Sequence, residues 1–470
     1  MRRCYSHGHE RSIAQEVGVL KAAFAGWTIF FLFTGMVAAT PISEDEILSQ
    51  AEARIEKYRM GEAVLRLVDD SGNPPRAGIR VHIEQVRHKF LFGSDIFMLA
   101  RCRSAADNAA YEKEFADLLN YATVPFYWWT YEPEQGQPKY ADTEKIVQWC
   151  EAHHVTTKGH PLAWNEGQPK WLPQDPSRAM QLQMARVGQC VRHFKTEIDI
   201  WDVVNEATEF DRDSTRSGGP TLTEAIRQMG VSNYIRAAFR EARLANPSAT
   251  LVINDYNYSP DFIGSVLARL VDKDAQPAYD VIGIQCHQHT RVWSAQEIWE
   301  NCERFAKMGK PIHFTEATIL SGQQGWELRQ SDPNFKWAST PGGEKKQAEE
   351  VTRFYTVLFS HPAVEAITWW DFSDQGAWQG APAGLVREDM SPKPAYEALM
   401  KLIKGKWWTK TESEVGAGGE ARFRGFFGEY RIGMIVGGRE LTGACTFGKT
   451  TAMPIEVRLS QRAGSSRQVE

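Results

Sequence analysis

The chain has no cysteines spaced C-x-x-C. Its seven cysteines are scattered from Cys4 to Cys445. That scatter excludes a zinc ribbon and a dense disulfide framework. Export would still allow one or two disulfides, whose pairing the sequence leaves open. Long basic runs are missing too, and the formal net charge is −5. A mildly acidic chain without a basic stripe argues against nucleic acid as a partner. No glycine-rich phosphate turn follows an early apolar strand. Apolar runs long enough for a membrane are absent, with one exception. Near the start, Arg2, Arg3, Arg11 and Lys21 precede AAFAGWTIFFLFTGMVAAT, and Val37 and Ala39 occupy the small-residue positions of a cleavage site. We read residues 1–39 as a secretory signal peptide. The run also reaches about the lower length limit of a membrane span, so an uncleaved anchor is the alternative. Cleavage would leave a secreted or periplasmic chain with no further membrane segment.

What is present suits a large globular protein. Of 470 residues, 42% are apolar and 24% charged, enough to bury a sizeable core. Residues 45–87 read as an N-terminal β segment, with EAVLRLV and GIRVHIEQV on either side of the turn-rich DDSGNPPRA. From 88 to 405 short apolar strands alternate with longer amphipathic stretches. The strands run from KFLFGSDI through VTTKGHPLAW, IDIWDVVNE, TLVINDYN, YDVIGIQCH and PIHFTEA to VEAITWWDFS. FIGSVLARLVDK reads as one of the intervening helices. Repeated β-then-α at this length calls for an α/β fold, a closed (β/α)8 TIM barrel, with an open doubly wound sheet as the alternative. Residues 406–470 turn glycine-rich and β-like. We expect them to pack with 45–87 as one small β appendage, because each piece alone leaves open edges and an unburied face.

In such a barrel, function gathers at the C-terminal ends of the strands. That rim would carry His160 and Trp164, then Asn205 and Glu206, then Asn254, Asp255 and Tyr256. Gln285 and His287 follow, then Glu316, Trp370 and Trp378. Two carboxylates flanking a pocket are what glycosidic bond cleavage needs. One, protonated, gives its proton to the leaving oxygen, and the other, ionised, attacks the sugar or activates water. Their environments must hold the two pKa values apart. Tryptophan faces stack on sugar rings, while amides and imidazoles read hydroxyls. His287 and His289 share a strand face, but no third ligand is evident, so neither a metal nor a cofactor is expected. Trp128 and Trp129 read equally as core or as sugar platform. Asp255 reads as a supporting group or loop cap.

GHPLAW, WDVVNEA, NDYN, IGIQCHQH, FTEA and WWDFSDQGAW followed by SPKPAYEAL occur in that order. Across residues 88–404 they resemble family 10 of the glycoside hydrolases, the endo-β-1,4-xylanases, and EPEQGQ at 132–137 matches as well. The resemblance implies a retaining double-displacement hydrolysis of internal xylan bonds, with Glu206 as acid/base and Glu316 as nucleophile. It implies that Asn205 holds the sugar 2-hydroxyl, and that His160, Trp164 and Gln285 line the subsite where the bond breaks. His287 would sit against the nucleophile, and Trp370 and Trp378 would wall the same sugar. The implied partner is a polysaccharide, xylan or a related β-glycan, acted on by a monomer.

Three places depart from the family pattern. Where the family carries Glu-Asn-x-x-Lys, this chain reads TVPFYWWTYEP, with Val124 for the asparagine and Tyr127 for the lysine. Asn165 replaces a histidine, and Thr318 replaces an aspartate. The first change trades a charged grip on the distal sugar for aromatic surface. The last removes an expected partner of His287. Two alternatives therefore stay open: the same mechanism on a decorated or mixed-linkage β-glycan, and a catalytically vestigial xylan-binding protein.

Overall fold

The computed structural model describes residues 42–271, 276–332 and 334–461; the signal peptide read at 1–39 lies outside them. Eight parallel strands close into a barrel. In chain order they are Leu91–Asp95, Tyr121–Pro125, Thr156–His160, Ile200–Asn205, Thr250–Asp255, Val281–Gln288, Ile312–Ile319 and Val364–Trp369, here barrel strands one to eight. Strand eight closes the ring on strand one, with Ala366 opposite Leu91. The expected (β/α)8 barrel is the fold.

The strands are apolar on both faces because helices cover the outside and side chains fill the inside. Strands four and seven are buried at every position. Gly159 in strand three answers a close approach: a Cβ there would sit 2.2 Å from the Trp201 ring. Outside, helices Pro176–His193, Val231–Ala245 and Ala295–Ala306 each lay one buried face on the barrel. Asp175 and Ser294 cap two of them by accepting backbone N–H groups of the first turn. After strand five the expected helix is not regular. A wide turn, Phe262–Val266, runs into a 3₁₀ turn, Leu267–Arg269. Phe262, Val266 and Leu267 are buried all the same. The apolar spacing therefore reported burial, while Gly264 in the middle weakens a helix.

Residues 45–87 are not β alone. Helices Glu44–Ser49 and Ala51–Arg59 come first, and Arg59 docks them on the barrel by donating to the Phe359 carbonyl at 2.7 Å. The next two strands do not pair with each other. Met60–Val68 lies between Glu420–Phe426 and Ile455–Arg458, while Arg80–His88 lies between Lys410–Glu414 and Gly428–Val436. Each N-terminal strand thus takes its neighbours from the C-terminal segment. One apolar cluster with Leu65, Leu67, Ile83, Ile432 and Val457 unites the two sheets. Trp407 packs the joint to the barrel, 4.5 Å between centroids from Phe359, and Trp408 meets His88 edge-on.

All six described cysteines are free. The disulfides that export would allow do not form among them. Cys150, Cys190, Cys286 and Cys302 are buried on separate helices and strands of the barrel.

Candidate active site

Strand four ends at Asn205, and the chain leaves it through Glu206 in the left-handed region, at φ 55° and ψ 42°. A side chain there costs about 1–2 kcal/mol, the kind of strain found at functional sites. The Glu206 N–H ties this turn to strand five by donating to the Asn254 carbonyl at 2.8 Å. Asp255 holds the next loop. Its carboxylate accepts from the Thr208 N–H at 3.0 Å and the Thr208 hydroxyl at 2.8 Å.

Glu316 lies inside strand seven. Asn254 Nδ2 donates to Glu316 Oε1 at 2.8 Å and to Asn205 Oδ1 at 2.7 Å. Gln285 Nε2 donates to Asn205 Oδ1 at 3.2 Å and to Glu206 Oε1 at 3.1 Å. Three amides therefore join the two carboxylates. On the Glu316 side, His287 Nε2 stands 3.0 Å from Oε2 and His160 Nε2 stands 3.9 Å from Oε1. His160 Nδ1 is fixed by Asp202 at 2.8 Å, and Asp202 also pairs with Lys158 at 2.6 Å, both charges fully buried.

The aromatic groups close around this network. Trp164 Nε1 donates to Glu206 Oε2 at 3.2 Å. Trp370 is buried edge-on against His160, with centroids 5.5 Å apart. Trp378 is 39% exposed and tilts over His287 at 4.9 Å. The nine residues to which the resemblance gives roles thus meet in one connected site. Among the described residues, no group of three His, Cys, Asp or Glu side chains is placed to hold a metal.

The two carboxyls are pushed in opposite directions. Burial raises Glu206, and the charge of Glu316 adds to it; Arg212 and Gln285 oppose them without reversing the shift. Burial would raise Glu316 as well. The hydrogen bond from His287 and the charges of His160, His287 and Lys158 outweigh it and hold this carboxyl below its ordinary value.

The model of the family described as Glycosyl hydrolase family 10 matches residues 88–402. The chain belongs to glycosyl hydrolase family 10. Among curated proteins it is 32% identical over 298 residues to Endo-1,4-beta-xylanase B of Thermotoga neapolitana, covering 59% of this chain and 78% of that one. It is also 26% identical over 398 residues to Anti-sigma-I factor RsgI6 of Acetivibrio thermocellus, covering 83% of this chain and 47% of that one. The solved structure of xylanase 10B from Thermotoga petrophila RKU-1 in complex with xylobiose superposes with a TM-score of 0.54 at 27% identity. That match covers 68% of this chain and 95% of the other.

Against the family pattern, the substituted positions do different jobs. Tyr127 is in the cleft, its ring 5.6 Å from His160 and 6.0 Å from Trp164. Val124 is not: it is fully buried in the main core, so its change does not reach a sugar. Asn165 is buried too. Its amide donates to the Phe210 carbonyl and the Thr223 hydroxyl, each at 2.7 Å, and braces the loop after strand four. Thr318 does not leave His287 alone. Its hydroxyl donates to the Trp370 carbonyl at 2.7 Å and so meets His287 Nδ1, 3.0 Å away, as an acceptor. The expected loss of a partner is corrected: a neutral partner replaces a charged one. Trp128 belongs to the core with Leu172 and Leu222, whereas Trp129 lies beside Trp164 at 5.9 Å.

Sequence reasoning missed Arg212. Its guanidinium contacts Glu206 Oε2 directly, reaches Glu166 Oε2 at 2.5 Å, and is steadied by the Ser214 hydroxyl at 2.9 Å. It precedes the short helix Asp213–Gly218 in the polar stretch EFDRDSTRSGG, where no motif or periodicity marks it.

Proposed function

We propose that this family 10 hydrolase is an endo-1,4-β-xylanase that cleaves internal β-1,4-xylosidic bonds with retention of configuration. The observation that carries the proposal is the pair of buried carboxyls, Glu206 and Glu316, linked by Asn254, Asn205 and Gln285 and pushed apart in pKa by their surroundings. In the first step ionised Glu316 attacks the anomeric carbon while protonated Glu206 gives its proton to the departing oxygen. The bond to Glu316 removes that group's charge. One influence that raises Glu206 is then gone, and Glu206 can act as base on the incoming water. Water adds to the same carbon, Glu316 leaves, and both groups return to their starting states.

The remaining residues fit supporting roles. Asn205 Oδ1 accepts from both Asn254 and Gln285, which leaves its NH₂ to meet the sugar 2-hydroxyl. His160, Trp164, Gln285 and His287 surround the reacting sugar, with Trp370 and Trp378 as its wall. The curated xylanase and the xylobiose-bound structure support xylan as substrate. We place the working chain outside the cytoplasm, as a monomer. No helix among the described residues is long and apolar enough to cross a membrane.

The test is release of reducing ends from β-1,4-xylan, with Glu316→Ala alongside. Wild-type release with a loss of at least about 10⁴-fold in the variant is expected, and the first product should be the β-anomer by NMR. Equal rates would overturn the role of Glu316, and an initial α-anomer would overturn retention. Cleavage of mixed-linkage β-glucan in place of xylan would move the substrate but keep the mechanism. A second reading, a xylan sensor without turnover, is favoured by the long match to an anti-sigma factor. It requires saturable xylan binding with no reducing ends released.

A further inference from the structure

A cavity of about 220 Å³ opens beside the catalytic centre, where barrel strands one and two end. Phe97, Arg101, Tyr127, Thr130, Lys139 and Asp142 line it. Tyr127 is a wall shared with the centre, because the same ring lies 5.6 Å from His160. Phe97 joins the two spaces as well, 5.8 Å from Tyr127 and 5.2 Å from Trp370. The cavity therefore shares a wall with the catalytic centre, on the side where Tyr127 stands in place of the lysine of the family pattern. Its volume is below the roughly 300–1,000 Å³ of pockets for drug-sized ligands and suits one added sugar group.

The charge of this cavity is unbalanced. Arg101 and Lys139 are exposed, and neither side chain joins an ion pair or hydrogen bond among the described residues. Other exposed cations differ: Arg103 pairs with Glu388 and Lys113 with Asp117. Asp142 is the one carboxylate in the lining, so two cations face one anion. Amides, hydroxyls or a single cation suffice to read the hydroxyls of a neutral sugar, and a second unpaired cation adds little there. A carboxylate accepts from both at once and gains charge assistance. In a polysaccharide that carboxylate belongs to a uronic acid.

We propose that this cavity binds the carboxylate of a uronic acid branch on the substrate, with Arg101 and Lys139 as its ligands and Tyr127 as the stacking face. The proposal rests on the xylanase reading above, and it names the decoration that the site prefers. The charge removed at Tyr127 is thereby supplied from the two flanking loops.

The experiment is equilibrium binding in the Glu316→Ala background, which stops turnover. A xylo-oligosaccharide bearing one glucuronosyl branch is compared with the same molecule after reduction of its carboxyl group. The acidic ligand should bind about tenfold tighter at low salt. The preference should vanish with Arg101→Gln plus Lys139→Gln, and shrink in high salt. Both side chains are exposed, so thermal unfolding of the variant should match its parent. Equal affinity for the two ligands, a preference that survives the double substitution, or binding of neither would overturn the proposal. Wild-type turnover of unbranched xylan is read separately. Turnover without an acid preference sinks the cavity alone, and an acid preference dependent on Arg101 and Lys139 without turnover sinks the xylanase reading alone.

Discussion

The surroundings of Glu316 and of Glu206 are built in different ways. Every polar partner of Glu316 comes from the barrel strands themselves: Asn254, His287 and, further off, His160 with Asp202 and Lys158 behind it. Among the described residues the Glu206 carboxyl has one strand partner, Gln285, and otherwise leans on loops through Trp164 and Arg212. In the proposed mechanism the strand-borne side holds a carboxyl that acts without taking up a proton. The loop-borne side surrounds a group that, in the same mechanism, holds a proton in one step and accepts one in the next. Rigid elements suit the first task, and a carboxyl whose partners pull both ways suits the second.

The comparison breaks first at its loop-borne end. Glu206→Ala should slow xylan cleavage by about 10²–10⁴-fold, and far less with an aryl xyloside whose leaving group needs no proton. A uniform loss on both substrates would count against the acid role. The strand-borne end breaks through its foundation. Asp202→Asn strands the fully buried Lys158 ammonium without a counter-charge, and should cost about 3–5 kcal/mol of stability in denaturant unfolding. Lys158→Met in the same chain should recover most of that loss. Failure of the second change to compensate would show that Asp202 acts chiefly through His160.

Arg212 sharpens the contrast. Its positive charge favours ionised Glu206, so Arg212→Met should raise the Glu206 pKa further. The acid form would then persist to higher pH, and the basic limb of the kcat/KM profile should move to more alkaline pH. An unmoved limb would mean that the contact is structural only. Thr318→Val is the mildest change. It removes the acceptor of His287 Nδ1 and should lower kcat by less than about tenfold, with no change in the basic limb.

Much of this site was legible along the chain because barrel geometry converts strand ends into neighbours. Asn205, Gln285, His287 and Glu316 are strand residues, and an apolar run ending in polar side chains announces them. Glu206 follows directly from such a run. Misreadings arose where that conversion does not operate. Val124 is a strand residue, but alternation turns it outward to the core. Residues 44–59 form helices that an emphasis on the following strands overlooked, and the regular helix expected after strand five gave way around Gly264.

By itself, then, the sequence determined the repeated β-then-α layout and which polar groups reach the rim, because periodicity and strand ends are local properties of the chain. The tertiary structure alone decided three things. Glu206 turns left-handed, and the loop beyond it folds back so that Arg212 meets its carboxylate. The Thr318 hydroxyl, committed to the Trp370 carbonyl, becomes an acceptor for His287. Arg101 and Lys139, on separate loops, come to share one cavity beside Tyr127. Each depends on where a loop returns in space, and loop return is set by packing against distant elements rather than by any pattern within the loop.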